Sequence, residues 1–365
     1  MIKSLEINNY RNLSNLKINS LGNVNLITGK NNTGKSTLLE AIIILASKGD
    51  LKTIMELLTE RGEYFRHVDN SKNIESSLNI LSSLFNNRKI SFQENDLILI
   101  QNKITNIKEF VTIKFVKYIE QDEDEFTRKR IVLDNENDDF NAKIGLQIVS
   151  DLNSRILPLS DGLNRFERLY SLKTNDFANR IQYVKTRNIN RDLNSKLWDA
   201  ITLTEKEKYV IDAIKIIEPT TEGITYKEVS RNERIPFIKL SDSNLIFPLQ
   251  SMGDGINRIL TIILSLVNSE NGYFLIDEIE NGLHHSVQEK LWEIIFNLSE
   301  KLNIQVFATT HSEDTIKSFE NILNGNQNKI EGKLIRLENK NGKINQIEFN
   351  SNDLRIATDN NIEIR

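Results

Sequence analysis

Residues Val24–Ala46 read VNLITGKNNTGKSTLLEAIIILA. Val24–Thr28 is a short apolar run of strand type. Gly29-Lys30-Asn31-Asn32-Thr33-Gly34-Lys35-Ser36-Thr37 follows and fits G-x-x-x-x-G-K-[ST] without deviation. The apolar run Leu38–Ala46 behind it has helical character. Strand, glycine loop and helix in this order aim successive backbone N–H groups, and the positive end of the helix, at a phosphate. Lys35 can reach the β- and γ-phosphates and the Ser36 hydroxyl can sit on Mg²⁺, with Asn31, Asn32, Thr33, Gly34 and Thr37 completing the cradle. The plainer reading is a Gly/Asn turn before a helix; the flanking strand and helix make it the weaker one.

Hydrolysis at such a cradle needs acids at the end of a neighbouring buried strand. The stretch Gln250–Ser286, QSMGDGINRILTIILSLVNSENGYFLIDEIENGLHHS, supplies them. It opens with a glycine-bracketed turn, Ser251-Met252-Gly253-Asp254-Gly255, and runs through an apolar helix. The short strand Tyr273–Ile276 then ends in Asp277 and Glu278. One acid can hold Mg²⁺ while the next polarises water. A second apolar strand, Ile304–Ala308, ends in Thr309-Thr310-His311-Ser312, where His311 can donate to a γ-phosphate. The adjacent pair His284-His285 is not read as a metal site, because neighbouring side chains on a helix do not face one another and a second ligand set for Zn²⁺ is absent.

Composition removes other classes. With 365 residues, 39% hydrophobic and 27% charged, the chain reads as soluble and globular, in one large domain or two ordinary ones. A net charge of −4 argues against a surface that grips nucleic acid over its whole extent. The absence of cysteine excludes disulfides, thiolate metal sites and cysteine nucleophiles. The N-terminus is not a secretory signal and the longest apolar runs, Leu38–Ala46 and Ile259–Val267, are too short for a membrane span. A cytoplasmic protein is expected.

Elsewhere, Ile2–Ile7 and Leu13–Ile18 alternate like strands, 50–90 looks helical, and 90–150 reads as an antiparallel meander with acidic hairpin tips. Residues 160–217 read as helical and include the basic segment with Arg180, Lys185, Arg187 and Arg191, which suits a solvated face or subunit contact better than nucleic acid. ITYKEV and PFIKL are strand-like, and Asn341-Gly342 marks a hairpin.

Asn9-Tyr10-Arg11-Asn12, GKNNTGKST, SMGDG, FLIDEIENGLHH and TTHS, in this order, resemble the ABC-type ATPases. Within them the chain is most similar to the soluble OLD-like and RecF/SMC-like branch of AAA family ATPases. Residues 50–245 carry little of the likeness. The resemblance implies an α/β P-loop NTPase fold with an ABC-ATPase-type mixed sheet, an antiparallel β meander and an inserted helical lobe. A single domain over 1–365 is expected, with a nucleotide-binding lobe at 1–150, a helical insertion at 151–250, and the signature, acids, D-loop and switch histidine at 251–365. It further implies that Lys35 and Gly34 bind the phosphates of ATP, that Ser36 and Asp277 hold Mg²⁺, the latter through water, and that Glu278 is the general base. His311 would be the switch histidine and Arg11 would lie near the phosphates. Ser251 and Gly253 would complete the ATP site of the opposite subunit, and Glu280–Leu283 would form the D-loop.

SMGDG in place of LSGGQ argues against a transporter subunit, and the Q-loop glutamine stays open between Gln147 and Gln182. About 50 residues follow His311, too few for a TOPRIM nuclease domain. The resemblance implies ATP hydrolysis by an ATP-sandwiched homodimer or higher homo-oligomer away from membranes. Two roles are open: the sensor ATPase of a bacterial anti-phage defence system acting on a separately encoded effector, often a nuclease, or a RecF/SMC-like repair ATPase that clamps DNA. No N-K-x-D motif for guanine is present.

Overall fold

A computed structural model of the chain describes residues 1–63, 74–104, 107–122, 128–133, 140–159, 176–186, 191–230, 233–243, 245–325 and 330–359. In chain order the strands are β1 (Leu5–Tyr10), β2 (Leu13–Ile18), β3 (Val24–Thr28), β4 (Ile98–Ile104), β5 (Ile107–Asp122), β6 (Arg128–Val132), β7 (Lys143–Ser150), β8 (Ser154–Pro158), β9 (Ile181–Val184), β10 (Thr221–Ser230), β11 (Glu233–Leu240), β12 (Ile246–Pro248), β13 (Tyr273–Ile276), β14 (Gln305–Thr309), β15 (Gly332–Lys340) and β16 (Lys343–Phe349). The helices are α1 (Lys35–Ala46), α2 (Leu51–Glu60), α3 (Ile74–Ser82), α4 (Arg191–Asp199), α5 (Glu205–Ile217), α6 (Asp254–Val267), α7 (His285–Lys301), α8 (Glu313–Gly325) and α9 (Ser351–Asp359).

The central sheet has the order β16-β15-β3-β14-β13-β9. Its strands from β15 to β9 run parallel, and β16 returns antiparallel as the Asn341-Gly342 hairpin. Every residue of β3 and β14 is buried, as expected of parallel strands covered on both faces. Successive side chains enter opposite cores. Leu26, Phe274, Ile276, Val306 and Ala308 pack among α5, α6, α7 and α8. Ile27, Leu275 and Phe307 face α1 and the second sheet.

That second sheet is antiparallel, in the order β2-β1-β4-β5-β7-β8 with β6 on β5. The expected meander is therefore joined to the N-terminal hairpin: β1 pairs with β4, so Ile2–Ile7 does not belong to the central sheet. The stretch 89–97, which contains the strand-like KISF, forms no strand. α1 lies between the two sheets and is buried almost all round, which explains why Leu38–Ala46 is apolar at every position but Glu40.

The expectation of helix across 160–217 is corrected at β9. Ile181–Val184 is a strand that closes the central sheet beside β13, while α4 and α5 follow it. Tertiary pairing with a buried neighbour overrides the weak local pattern of four residues. Arg187 and the side chain of Arg191 lie outside the described residues, as do 123–127 and 134–139 at the expected acidic tips. β10, β11 and β12 form a separate antiparallel sheet that leads into α6. Among the described residues no helix is long and apolar enough to cross a membrane.

One buried amide locks the N-terminus to the central sheet. Gln305, at the start of β14, accepts from the Ile2 backbone N–H at 2.8 Å and donates to the carbonyls of Ile2 at 2.7 Å and Gly22 at 2.8 Å. Gln305→Leu keeps the volume but strips the partner from both Ile2 backbone groups, while the Gly22 carbonyl keeps the Asn25 amide. A loss of roughly 2–4 kcal/mol is expected, since each buried group left unpaired costs about 1–3 kcal/mol. Guanidinium denaturation measures it, and an unchanged midpoint would contradict this account of Gln305.

Candidate active site

The C-terminal ends of β3, β14, β13 and β9 meet along one edge, where open parallel sheets place their ligands. The loop after β3 is wound tightly. Gly29 has φ +142°, and a Cβ there would stand 2.4 Å from the Leu337 carbonyl oxygen. Gly34, at φ +88°, caps α1 and is abutted by the Asn12 side chain. The Thr33 hydroxyl closes the turn on the Lys30 carbonyl at 2.8 Å. Asn31 and Asn32 are exposed at the tip, and Thr37 is buried within α1. The Lys35 Nζ donates to the Gly29 carbonyl at 2.7 Å and the Lys30 carbonyl at 3.1 Å. Burial lowers the Lys35 pKa, against the opposing pull of Asp277, Glu278 and Glu280.

Asp277 is the junction. The Ser36 hydroxyl donates to its Oδ2 at 2.8 Å, and the Thr309 hydroxyl donates to its Oδ1 at 2.5 Å. The same Thr309 oxygen accepts the Glu278 backbone N–H at 2.9 Å. That bond holds Glu278 at φ 49°, a left-handed conformation unusual for a residue with a Cβ. Ser36 and Asp277 are hard oxygen donors within reach of one cation, which suits Mg²⁺ sharing phosphate oxygens. Among the described residues no group of three or more His, Asp or Glu side chains could hold a metal alone, so a cation at this position would complete its shell with water or ligand oxygens.

His311 is tied to the segment after the acids. Its backbone N–H and its Nδ1 meet Glu280 Oε1 at 3.0 and 3.1 Å. The imidazole stands beside this carboxylate on a side chain that is 54% exposed. The other Glu280 oxygen is buried with no hydrogen-bond partner among the described residues.

Arg11 is held from α1. Its Nε pairs with Glu40 of α1 at 3.0 Å, and Arg61 takes the other Glu40 oxygen at 2.7 Å. Burial opposes its charge, but Tyr10 and Glu40 hold its pKa above the ordinary value. Its neighbour Asn12 lies against Gly34 of the loop.

Ser251 and Gly253 are exposed and stand apart from this cluster. The Ser251 hydroxyl donates to the Pro248 carbonyl at 2.7 Å, and Gly253 turns the chain into α6 at φ +99°. The turn adjoins the segment Glu280–Leu283, since a Cβ on Gly255 would lie 3.5 Å from the Gly282 oxygen.

Gln147 lies in β7 of the antiparallel sheet, bonded to Ser154. Gln182 lies in β9, opposite Phe274 of β13. The residues beyond β9 are the ones that reach the acids. The Val184 carbonyl accepts from the Asp277 N–H at 2.9 Å, the Thr186 hydroxyl donates to the Asp277 carbonyl at 3.4 Å, and Asn281 donates to the Thr186 carbonyl at 3.2 Å. Lys185 is ion-paired with Glu60 of α2, not presented for an external anion.

His284 and His285 do face one another, with ring centroids 4.1 Å apart. His284 is the extended N-cap of α7 and its ring accepts from the Ser286 N–H at 3.3 Å, so helical spacing does not govern the pair.

Residues 24–316 match the family described as "AAA domain, putative AbiEii toxin, Type IV TA system". The chain is 25% identical over 345 residues to an "ATP/GTP phosphatase" of Helicobacter pylori, covering 88% of each. An uncharacterized protein of Methanocaldococcus jannaschii is 36% identical over 98 residues, 24% of this chain and 45% of that protein. In fold, the chain is similar to the crystal structure of the SmcHead bound to the C-winged helix domain of ScpA, with TM-score 0.52, 12% identity and coverage of 96% and 98% of the two chains. It is also similar to the Smc head domain with an extended coiled coil bound to the C-terminal domain of ScpA derived from Pyrococcus furiosus, with TM-score 0.50, 11% identity and 99% of each chain covered.

Thr309 had no role in the sequence reading, yet its hydroxyl orients both acids. Thr309→Val removes the donor to Asp277 and the acceptor for Glu278. The variant should need about 10–100-fold more Mg²⁺ for half-maximal nucleotide binding, the usual cost of losing a partner behind a metal ligand. A wild-type Mg²⁺ titration would show that Thr309 is dispensable.

Proposed function

The chain belongs to this AAA-domain family and is an ATPase, and we propose that it works as an ATP-sandwiched dimer, each site joining the phosphate loop and acids of one copy to the signature turn of the other. The observation that carries this reading is the split within one chain. Ser36 and Thr309 close on Asp277, while Ser251 and Gly253 face solvent with no bond to that cluster among the described residues.

In this reading the glycine loop and Lys35 cradle the β- and γ-phosphates of ATP, and Ser36 and Asp277 hold Mg²⁺. The cation, when bound, neutralises charge on the phosphate oxygens. Glu278 positions and deprotonates the attacking water. His311, held beside Glu280, faces the γ-phosphate and donates to it. Ser251, Gly253 and their N–H groups close over the partner's ATP, so ATP joins the copies and hydrolysis releases them. The relative's name includes GTP; the residues assembled here read phosphates, and turnover of both nucleotides tests whether the base matters.

For the cellular role, we favour a regulatory ATPase of an anti-phage defence system that acts on a separately encoded effector. The family's description as an AbiEii-type toxin supports a place among such systems. The likeness to SMC heads concerns fold and leaves a DNA-clamping ATPase as the second reading. A clamp binds DNA in an ATP-stimulated manner that weakens steeply with salt. A regulator instead copurifies with the product of a neighbouring gene.

Glu278→Gln should slow ATP turnover by roughly 10²–10⁴-fold, the usual contribution of a general base, and should hold the protein as a dimer in ATP. Light scattering reads the mass with and without nucleotide; an ATP-independent mass would overturn the proposed role of ATP in joining the copies. Lys35→Ala should abolish tight ATP binding, and unchanged turnover would sink the phosphate-loop assignment.

A further inference from the structure

Arg258 lies in the first turns of α6, a few residues past the signature turn, and is 4% exposed. Its Nη1 donates to the Lys185 carbonyl at 3.0 Å, just beyond β9. Its Nε and Nη2 are buried without a hydrogen-bond partner among the described residues. A guanidinium carries five donors in a fixed fork, and leaving some unpaired in the interior is unfavourable. Burial accordingly lowers its pKa, and the carboxylates that oppose this are Asp277 and Glu278.

The carbonyl that Arg258 grips belongs to the segment joined to those acids. Val184 on one side accepts from the Asp277 N–H, and Thr186 on the other bonds the Asp277 carbonyl and takes a bond from Asn281 of the D-loop. One side chain thus connects the helix of the signature turn, the end of β9, and the strand end that carries both acids.

We propose that Arg258 is a positioning residue for hydrolysis, holding the β9 end and, through it, the Asp277–Glu278 backbone in the geometry that aims Glu278 at water. The inference rests on the reading of Glu278 as the hydrolytic group. A packing role would not call for a buried cation with idle donors, because an apolar side chain of similar volume is usually tolerated as well or better at such a site. The signature turn and Arg258 share a helix, so a shift of that turn on meeting a partner would be felt at Glu278 without passing through the nucleotide.

The test uses the full chain carrying Arg258→Met, Arg258→Gln or Arg258→Lys, with Glu278→Gln alongside. ATP turnover is followed over a range of ATP concentrations, together with thermal unfolding. Met and Gln should each lower kcat by about 10²-fold, the scale of a small misplacement of a reacting group. KM for ATP should stay within about threefold, since the phosphate loop is untouched. Arg258→Lys, which keeps a cation for the Lys185 carbonyl, should recover most of the lost kcat. Wild-type kcat in the Met or Gln variant overturns the proposal. So does a parallel loss of kcat, ATP affinity and Tm in the Met, Gln and Lys variants, which would make Arg258 a packing residue. If Met fails to fold, the Gln and Lys pair decides by the same criteria. Full turnover in Glu278→Gln overturns the reading of Glu278 instead, whereas an inactive Glu278→Gln beside a fully active Arg258→Gln removes Arg258 alone.

Discussion

The Asp277 carboxylate is shared between two hydroxyls, and the rest of the site depends on that sharing. Ser36 comes from the first turn of α1 and Thr309 from the end of β14, and each takes one oxygen. Both can reach it only because β14 lies between β3 and β13 and α1 returns over the sheet. The pairing Ile276↔Ala308 sets Thr309 opposite Asp277. A one-residue slip would carry Asp277 away from Thr309 and turn Phe274, Leu275 and Ile276 toward the wrong cores. Core packing and chemistry therefore fix the same register.

Adjacent carboxylates repel, so the strand end that holds them needs support. The Glu278 N–H is anchored on Thr309 in a left-handed conformation. Lys35 and Arg258 are the buried cations whose interaction with both acids is felt in their own pKa values. One stands at the head of α1 and the other in α6, on opposite sides of the central sheet. The acids thus sit between the helix that opens at the glycine loop and a helix that begins at an exposed turn. Such an arrangement suits an enzyme whose turnover responds to what that turn touches.

Much of this was legible in the chain because it is local. Val24–Thr37 encodes strand, loop and helix within one contiguous stretch, and Asn341-Gly342 marks its hairpin by the positive φ both residues adopt. The acids at 277 and 278 announced themselves at the end of four apolar residues. What escaped the reading depends on distant partners. β9 is four residues long and gains its identity from pairing with β13. The joining of β1 to β4 spans about ninety residues of intervening chain. The pairing of Arg11 with Glu40 on α1 likewise joins residues far apart in the chain. Thr309 was visible as a hydroxyl ending a buried strand; its role appears only when β14 is set beside β13.

The central claim is that one chain holds the phosphate loop and acids of a site that a second chain completes. Mixing two inactive variants, Lys35→Ala and Ser251→Arg, tests it most directly. In a mixed dimer, the intact loop of one variant faces the intact signature turn of the other, leaving one site whole. Equal mixing should restore about a quarter of wild-type turnover, as expected for random pairing across a two-fold interface. A mixture as inactive as its components, or full activity of Ser251→Arg by itself, would contradict a shared site.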